Sequence, residues 1–328
     1  RGIAYVGYCI VFLFAVYTFE KSIPDQIYVK AGEAIDYQFQ VPVTMEIQED
    51  SSPVAKSTNN ANVRQSYIVT CRLFGIFPVK DIEVVLVDGD AVYAGGMPIG
   101  IYVKTSGVLV IGTSEVERPD GSEAAPAENI LKAGDYILSV NGEKVAEKED
   151  LQRLVQQNGA EKEILKINRK GEEVEVGVTP VQNKNGTYML GAWVRDDLAG
   201  IGTLTYYKED GTYGALGHAV SDGDVGERIQ MREGYVYNAQ IIGVKKGQKG
   251  NPGELSGMIR YQSADCLGTI EENTDIGIYG KLDGNIAALP RGDYYNICYK
   301  QDIKQGPATI ICGFTGEKKE YAIEIESL

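Results

Sequence analysis

Alternating apolar and polar positions recur along most of the chain, in short runs separated by glycine-rich turns. Residues 26–47 alternate and are rich in Val, Ile and Tyr, a pattern that predicts β-strands. A polar stretch over residues 48–65 predicts a loop, and residues 66–90 predict two more strands with a turn near Phe77. We therefore predict a small β module over residues 21–90, with a spacer or adaptor role.

A second set of patterns covers residues 91–180. A strand over residues 136–140 runs into Asn141-Gly142, a dipeptide suited to a tight hairpin turn. Residues 148–157 then carry apolar side chains at helical spacing, which predicts one short helix. The apolar face of that helix consists of Leu151, Leu154 and Val155.

The N-terminal segment has a different pattern, because residues 2–19 contain no charged side chain. Eighteen residues in a helix span about 27 Å, which is enough to cross the hydrocarbon core of a bilayer. Arg1 fits a cytoplasmic flank, and no small-residue cleavage site follows. We predict an uncleaved membrane anchor over residues 1–20 with the body on the extracytoplasmic side; a cleaved signal peptide is the alternative.

Composition narrows the class of partner. The 328 residues carry a formal net charge of −14, which argues against a nucleic-acid partner because phosphate binding needs a clustered cationic face. The five cysteines are widely spaced, and the single histidine rules out a multi-histidine metal site. The sequence thus indicates no metal and no cofactor. Abundant glycine and tyrosine favour a mostly β fold.

The single histidine, His218, follows a predicted hairpin in residues 185–328 and is flanked by Gly217 and Ala219. An imidazole on an irregular loop can face a cleft, and it exchanges protons near neutral pH, as a general base must. A structural histidine without chemistry explains the same residues, so this pattern alone leaves both interpretations open.

Residues 130–145, which read ILKAGDYILSVNGEKV, resemble the recurring signature of PDZ domains that accompany bacterial proteases. The resemblance implies that a peptide binds as an added strand beside a loop whose N–H groups receive a carboxylate. By position in the pattern, that loop comprises Pro98, Ile99, Gly100 and Ile101. An ordinary hairpin turn is the alternative for these four residues.

The segments GAWVRDDLAGIGTLTYY and GALGHAVSD, within residues 191–222, are similar to the SpoIVB (stage IV sporulation protein B) peptidase family. The order of anchor, PDZ domain (91–180) and peptidase domain (185–328) agrees with that family. The resemblance implies a trypsin-like β-barrel serine endopeptidase of endospore formation, with His218 as the general base. It also implies a membrane-associated sporulation protein as substrate, cleaved to activate late sigma-factor processing. The PDZ domain would bind peptide segments or mediate self-association.

The sequence departs from the family where the nucleophile is expected. The family carries it in a Gly-Met-Ser-Gly-Ser-Pro passage beyond the histidine, and that passage does not occur here. We therefore expect a C-terminally truncated, inactive piece with an incomplete barrel, the nucleophile and triad acid lying beyond Leu328. Ser256 and Ser221 are weak internal candidates for the nucleophile. Five aspartates are equally weak as triad acids, two of them read as solubilising loop residues: Asp222, Asp224, Asp265, Asp275 and Asp283. A non-catalytic, membrane-tethered PDZ adaptor is the alternative function.

Overall fold

The computed structural model describes residues 17–18, 20–21, 23–30, 43–47, 54–56, 64–87, 91–283, 294–314 and 316–327. A mostly β fold is confirmed in this part of the chain. The helix α1 spans Lys148–Asn158, and two 3₁₀ turns lie at Ser263–Asp265 and Lys300–Asp302.

The strands in chain order are β1 Gln26–Lys30, β2 Val43–Ile47, β3 Val54–Lys56, β4 Arg64–Leu73, β5 Phe77–Val87, β6 Ala91–Thr113, β7 Val116–Glu117, β8 Glu123–Ala124, β9 Tyr136–Val140, β10 Glu143–Lys144, β11 Glu163–Arg169, β12 Glu172–Val178, β13 Val181–Gln182, β14 Tyr188–Met189, β15 Ala192–Tyr207, β16 Thr212–Ala215, β17 Met231–Lys245, β18 Glu254–Ile259, β19 Cys266–Thr274, β20 Gly277–Leu282, β21 Tyr294–Asn296, β22 Gly306–Cys312 and β23 Lys319–Ile325.

The described residues form two compact units. The first comprises those before residue 93 together with 295–308 and 324–327, and the second comprises the described residues of 93–294 and 309–323. The predicted domain boundaries at residues 90, 180 and 185 stay a prediction.

The first unit is built on a five-stranded sheet in the order β1-β5-β4-β2, with β3 paired to β4. β1 runs parallel to β5, and the other pairs are antiparallel. Its core consists of Ile23, Ile27, Val29, Val69, Cys71, Ile82 and Val84. Two details differ from the prediction: residues 54–56 of the expected loop form a strand, and the β4–β5 turn occupies residues 74–76.

The second unit contains a large sheet in which six strands pair in a closed ring. The pairings run β6-β15-β16-β20-β19-β17 and return to β6. Apolar side chains from these strands, among them Ile99, Leu204, Tyr213, Val236 and Ile278, form one buried cluster. The two-barrel, trypsin-like arrangement stays a prediction.

The second half of β6 also pairs with β9, which joins the ring to the strands β9, β11 and β12. The predicted tight turn is confirmed, since Asn141 and Gly142 both have positive φ (49° and 83°). The predicted helix is α1, and its three apolar residues are buried against these strands. The strands of the predicted PDZ domain thus share one continuous sheet with the ring, and α1 packs against those strands.

The prediction of a peptide-binding loop at Pro98–Ile101 is wrong. These four residues lie inside β6, where all four pair with β15 and the last three also pair with β17 on the other side. Ile99 and Ile101 are buried in the ring core, and a Cβ on Gly100 would lie 2.5 Å from Ile259 Cγ2. The backbone here faces neighbouring strands, so it is not available to receive a carboxylate. The physical reason for the difference is the apolar run IGIYV, which is typical of a central strand with neighbours on both sides.

No helix within the described ranges is long and apolar enough to cross a membrane. The predicted anchor at residues 2–19 falls mostly outside those ranges, since only residues 17 and 18 of it are described.

Candidate functional site

His218 lies in the segment that leaves the ring at the end of β16 and returns to it at β17. Its side chain is exposed. β16 is held on both sides, by β15 and β20, so the start of this segment is fixed by the ring. The histidine therefore projects from a rigid edge, as a group that must meet a substrate should.

The backbone just before the histidine is held in an unfavourable conformation. Leu216 has φ 64°, in the left-handed region that residues with a side chain rarely occupy. Its N–H donates to the Thr203 carbonyl at 3.0 Å, and its carbonyl accepts the Thr205 hydroxyl at 3.1 Å. β15 thus fixes the bend that presents Gly217 and His218. Strain of this kind is frequent next to reacting groups.

One hydrogen bond determines the tautomer of the imidazole. Nδ1 of His218 lies 2.8 Å from the carbonyl oxygen of Ala219. A carbonyl oxygen only accepts, so Nδ1 carries the hydrogen, and in the neutral imidazole the lone pair is then on Nε2. A histidine in this state can take a proton at Nε2, the atom that a general base uses in serine peptidases.

The histidine borders a cleft of about 340 Å³. The cleft is also lined by the middle of β15, residues 198–201, and by Ile101 and Leu216. Ser221 also lines this cleft, three residues after the histidine. Ile101, predicted to bind peptide in the PDZ domain, in fact belongs to this cleft.

An ion pair supports the segment behind the histidine. The Arg195 guanidinium contacts Asp222, whose side chain is fully buried, and lies 3.1 Å from Asp224. Asp222 also accepts the N–H groups of Asp224 and Val225 at 2.8 and 3.0 Å. Burial would raise the pKa of Asp222, but the Val225 and Asp224 N–H groups and the guanidinium outweigh it and lower that pKa. The solubilising role predicted for Asp222 is therefore wrong, since this carboxylate organises the loop.

Two of the other weak candidates for the triad acid have partners of their own, and Ser256 lies on a different strand. Asp265 accepts the Asn238 amide at 3.2 Å, and Asp275 pairs with Arg228 at 3.2 Å. Ser256 is exposed on β18 opposite Gly243. Among the described residues, the imidazole is oriented by the Ala219 carbonyl and not by a carboxylate.

A second cleft, of about 610 Å³, separates α1 from the start of β15. Leu151 and Val155 of the helix face Tyr188, Ala192 and Val194 across it. Over residues 192–203 of β15, β6 is the one described strand that pairs with it. The cleft thus has an apolar wall on one side and a strand with an unpaired edge on the other, which is the arrangement that β-strand addition requires.

Asp196 fixes the distance between the two walls of this second cleft. Its buried carboxylate accepts the Lys148 N–H, at the first turn of α1, at 2.9 Å and lies 3.1 Å from the Lys148 ammonium. Burial would raise the pKa of Asp196, but the Lys148 N–H and ammonium outweigh it and lower that pKa. A carboxylate is favoured there because the N-terminus of a helix carries partial positive charge.

Sequence reasoning missed this second cleft because it assigned β15 to the peptidase domain alone. The start of the helix gave no signal for it, because Glu147 and Asp150 cap α1 locally with a capping box. Asp196 adds a distant acceptor for the Lys148 N–H, and a partner 48 positions later could not be read from the helix itself.

Comparison with known families defines the class of protein. The family model of PDZ domains matches residues 119–169, which hold β9, α1 and β11, and a peptidase model matches residues 186–328. That peptidase model is SpoIVB peptidase S55, so residues 186–328 are similar to the SpoIVB family and the recognition made from the sequence is confirmed. No curated protein matches the chain. The two matches support a sporulation serine peptidase in general terms.

Proposed function

We propose that this protein is a serine endopeptidase of endospore formation in which His218 is the general base. The observation that supports this role is the Nδ1 hydrogen bond to the Ala219 carbonyl, which leaves Nε2 as a proton acceptor at an open cleft. In the reaction, Nε2 takes the proton of a serine hydroxyl as its oxygen attacks the scissile carbonyl. It then returns that proton to the leaving amine.

The proposal extends to location and substrate. The uncharged residues 2–19 anchor the protein in the cytoplasmic membrane, and the body lies on the extracytoplasmic side, in the intermembrane space of the forespore. The substrate is a membrane-associated sporulation protein, and its cleavage activates late sigma-factor processing. The family match and the apolar N-terminal segment support this assignment.

Labelling with a serine-directed fluorophosphonate tests the catalytic role. The full-length gene product should label, and His218→Ala should lower the labelling rate at least about a hundredfold, because a general base supplies about that factor. Glu227→Gln, an exposed change in the same loop, is the matched control and should label at the parental rate. Undiminished labelling of His218→Ala would exclude His218 as the base.

A Ser221→Ala variant tests whether Ser221 or another serine of the full-length protein is the nucleophile. Ser221 lines the cleft and is the described serine nearest to His218 in the sequence. If labelling survives this change, the nucleophile is a serine other than Ser221. If labelling is lost, Ser221 is the nucleophile.

The cleft between α1 and β15 favours a second function, peptide capture by the PDZ domain. This cleft has both walls within the described residues, and it would serve a membrane-tethered adaptor as well as a peptidase. Fluorescent decapeptides that tile this chain are suitable probes, because self-association is one proposed role. Ala192→Leu would fill the cleft and should weaken binding about tenfold or more, while Trp193→Ala, an exposed change outside its lining, should not.

The two functions predict different outcomes for the same pair of variants. A peptidase loses labelling in His218→Ala and keeps peptide binding. An adaptor keeps peptide binding in His218→Ala and shows no fluorophosphonate labelling in any variant.

A further inference from the structure

The turn between β4 and β5 in the first unit exposes three large apolar side chains. Phe74, Ile76 and Phe77 are 63%, 67% and 63% exposed. They lie within four consecutive positions at the tip of one hairpin. Single exposed apolar residues are ordinary, but such a group at a projecting tip marks a surface that meets another apolar phase.

The sequence of this turn is also unfavourable for a hairpin in water. Phe74 and Gly75 both have positive φ, 53° and 74°, as in the turns that normally use Asn-Gly. A phenylalanine in the left-handed region carries backbone strain, which an asparagine would largely avoid. Phe74 carries this strain and its ring is nevertheless exposed, so we expect the ring to make a contact outside the turn.

The described residues just before β1, residues 23–25, lie towards the same end of the sheet. β1 runs parallel to β5, and residues before β1 follow β5 back towards its start. The Lys80 ammonium contacts the Asp25 carboxylate at 2.7 Å and the Ile23 carbonyl at 2.6 Å. Lys80 lies three residues from Phe77, which is about 10 Å along a strand.

Residues typical of a membrane surface lie shortly before β1 in the chain. The Ile23 N–H donates to the Glu20 carbonyl at 3.2 Å, just after the helical residues Glu20 and Lys21. The Lys21 ammonium lies 5.0 Å from the centre of the exposed Tyr17 ring. Tyrosine and lysine are enriched at the interface between lipid and water.

We propose that the hairpin tip formed by Phe74, Ile76 and Phe77 inserts into the outer surface of the bilayer that holds residues 2–19. The inference rests on the proposed membrane anchoring and adds a second contact to it. The anchor and the tip fix two points of the first unit against the lipid, which sets its orientation. The tip binds a lipid surface without net charge, because the tip has no charged side chain and the protein is strongly acidic.

Depth-dependent quenching tests the contact. The chain has one tryptophan, so Trp193→Phe gives a background in which Ile76→Trp is the sole reporter. The full chain is reconstituted into phosphatidylcholine vesicles with and without bromine on the acyl chains. Bromine should lower the emission of Ile76→Trp about twofold or more, because interfacial side chains lie about 5–10 Å into the boundary. Ile47→Trp is the matched control, since Ile47 is 59% exposed on the same sheet but pairs with Val69, away from the tip.

The outcomes separate the tip from the anchor. Bromine quenching of Ile76→Trp but not Ile47→Trp supports the proposal. Equal emission of Ile76→Trp in both vesicles overturns it, and a blue-shifted emission insensitive to bromine assigns the tip to a protein partner instead. Resistance of the chain to carbonate extraction reports the anchor separately, so a failed tip with a retained anchor is recognisable. Phe74→Ser/Phe77→Ser should abolish the quenching and leave that resistance unchanged.

Discussion

The guanidinium of Arg195 and the buried carboxylate of Asp222 form an ion pair that ties β15 to the segment carrying His218. The same strand borders the cleft beside α1 through Ala192 and Val194. The two clefts of the second unit are therefore joined by a few residues of one strand.

Arg195→Ala should destabilise the second unit by about 2 kcal/mol, because Asp222 would stay buried with only backbone N–H groups to stabilise its charge. The figure is below that of a fully buried pair because the arginine is partly exposed. The urea midpoint measures it. Arg228→Ala is the control: its pair with Asp275 is exposed on both sides, and its loss should be near neutral. Equal midpoints for the two variants would contradict the prediction.

Acid should weaken the second unit through Asp196 and Asp222, whose pKa values are both lowered in the folded state. A carboxyl group with a lowered folded pKa adds stability above its unfolded pKa of about 4, and that stability is lost as pH falls through the lower folded value. Melting temperatures measured from pH 7 downwards should fall below about pH 4. Asp222→Asn should be less stable at pH 7 and flatter with pH; a parallel, equally steep curve would rule out Asp222 as a source of the fall.

Glu163→Gln should stabilise the protein at neutral pH by about 1 kcal/mol. Glu163 is fully buried, its Oε2 has no hydrogen-bond partner, and burial raises its pKa. With a raised folded pKa the unfolded chain gives up its proton first, so stability is lost as pH rises through the folded value. The gain should therefore shrink at low pH. Glu161→Gln, an exposed neighbour, should show no gain at any pH in the same melting series.

Gly100→Ala should cost about 1–3 kcal/mol by overpacking. The added Cβ would lie 2.5 Å from Ile259 Cγ2 and 3.1 Å from Ile259 Cβ, so a rotamer change of Ile259 does not relieve the clash. Gly112→Ala on the same strand meets nothing within 4 Å and should be neutral or slightly stabilising. A peptide-binding loop at this position predicts the opposite: normal stability and lost binding.

Local patterns were sufficient to predict the elements whose cause is local. The Asn141-Gly142 turn and the apolar face of α1 follow from conformational preference and periodicity within a few residues. His218 was also recognisable, because its flanking segment is specific to a family that the comparison confirms. Its catalytic role stays a prediction.

Pairing between distant strands could not be read from the sequence in the same way. Pro98–Ile101 meets partners about 100 residues later on β15 and 140 residues later on β17, and nothing within the four residues names them. Asp222 was misjudged for the same reason: its burial depends on Arg195, 27 positions earlier. Carboxylates in loops are usually exposed, and only a distant partner makes this one structural.

β6 lies in the closed ring through its first half and in the PDZ-type sheet through its second half, and β15 accompanies it across both. The two regions that match family models are therefore not structurally independent domains. If the chain were cut between residues 180 and 185, the N-terminal fragment would keep α1 but lose β15, the strand beside it. The C-terminal fragment would lose β6, one of the six strands of the ring. Exchange of either part between relatives would have to carry both strands with it.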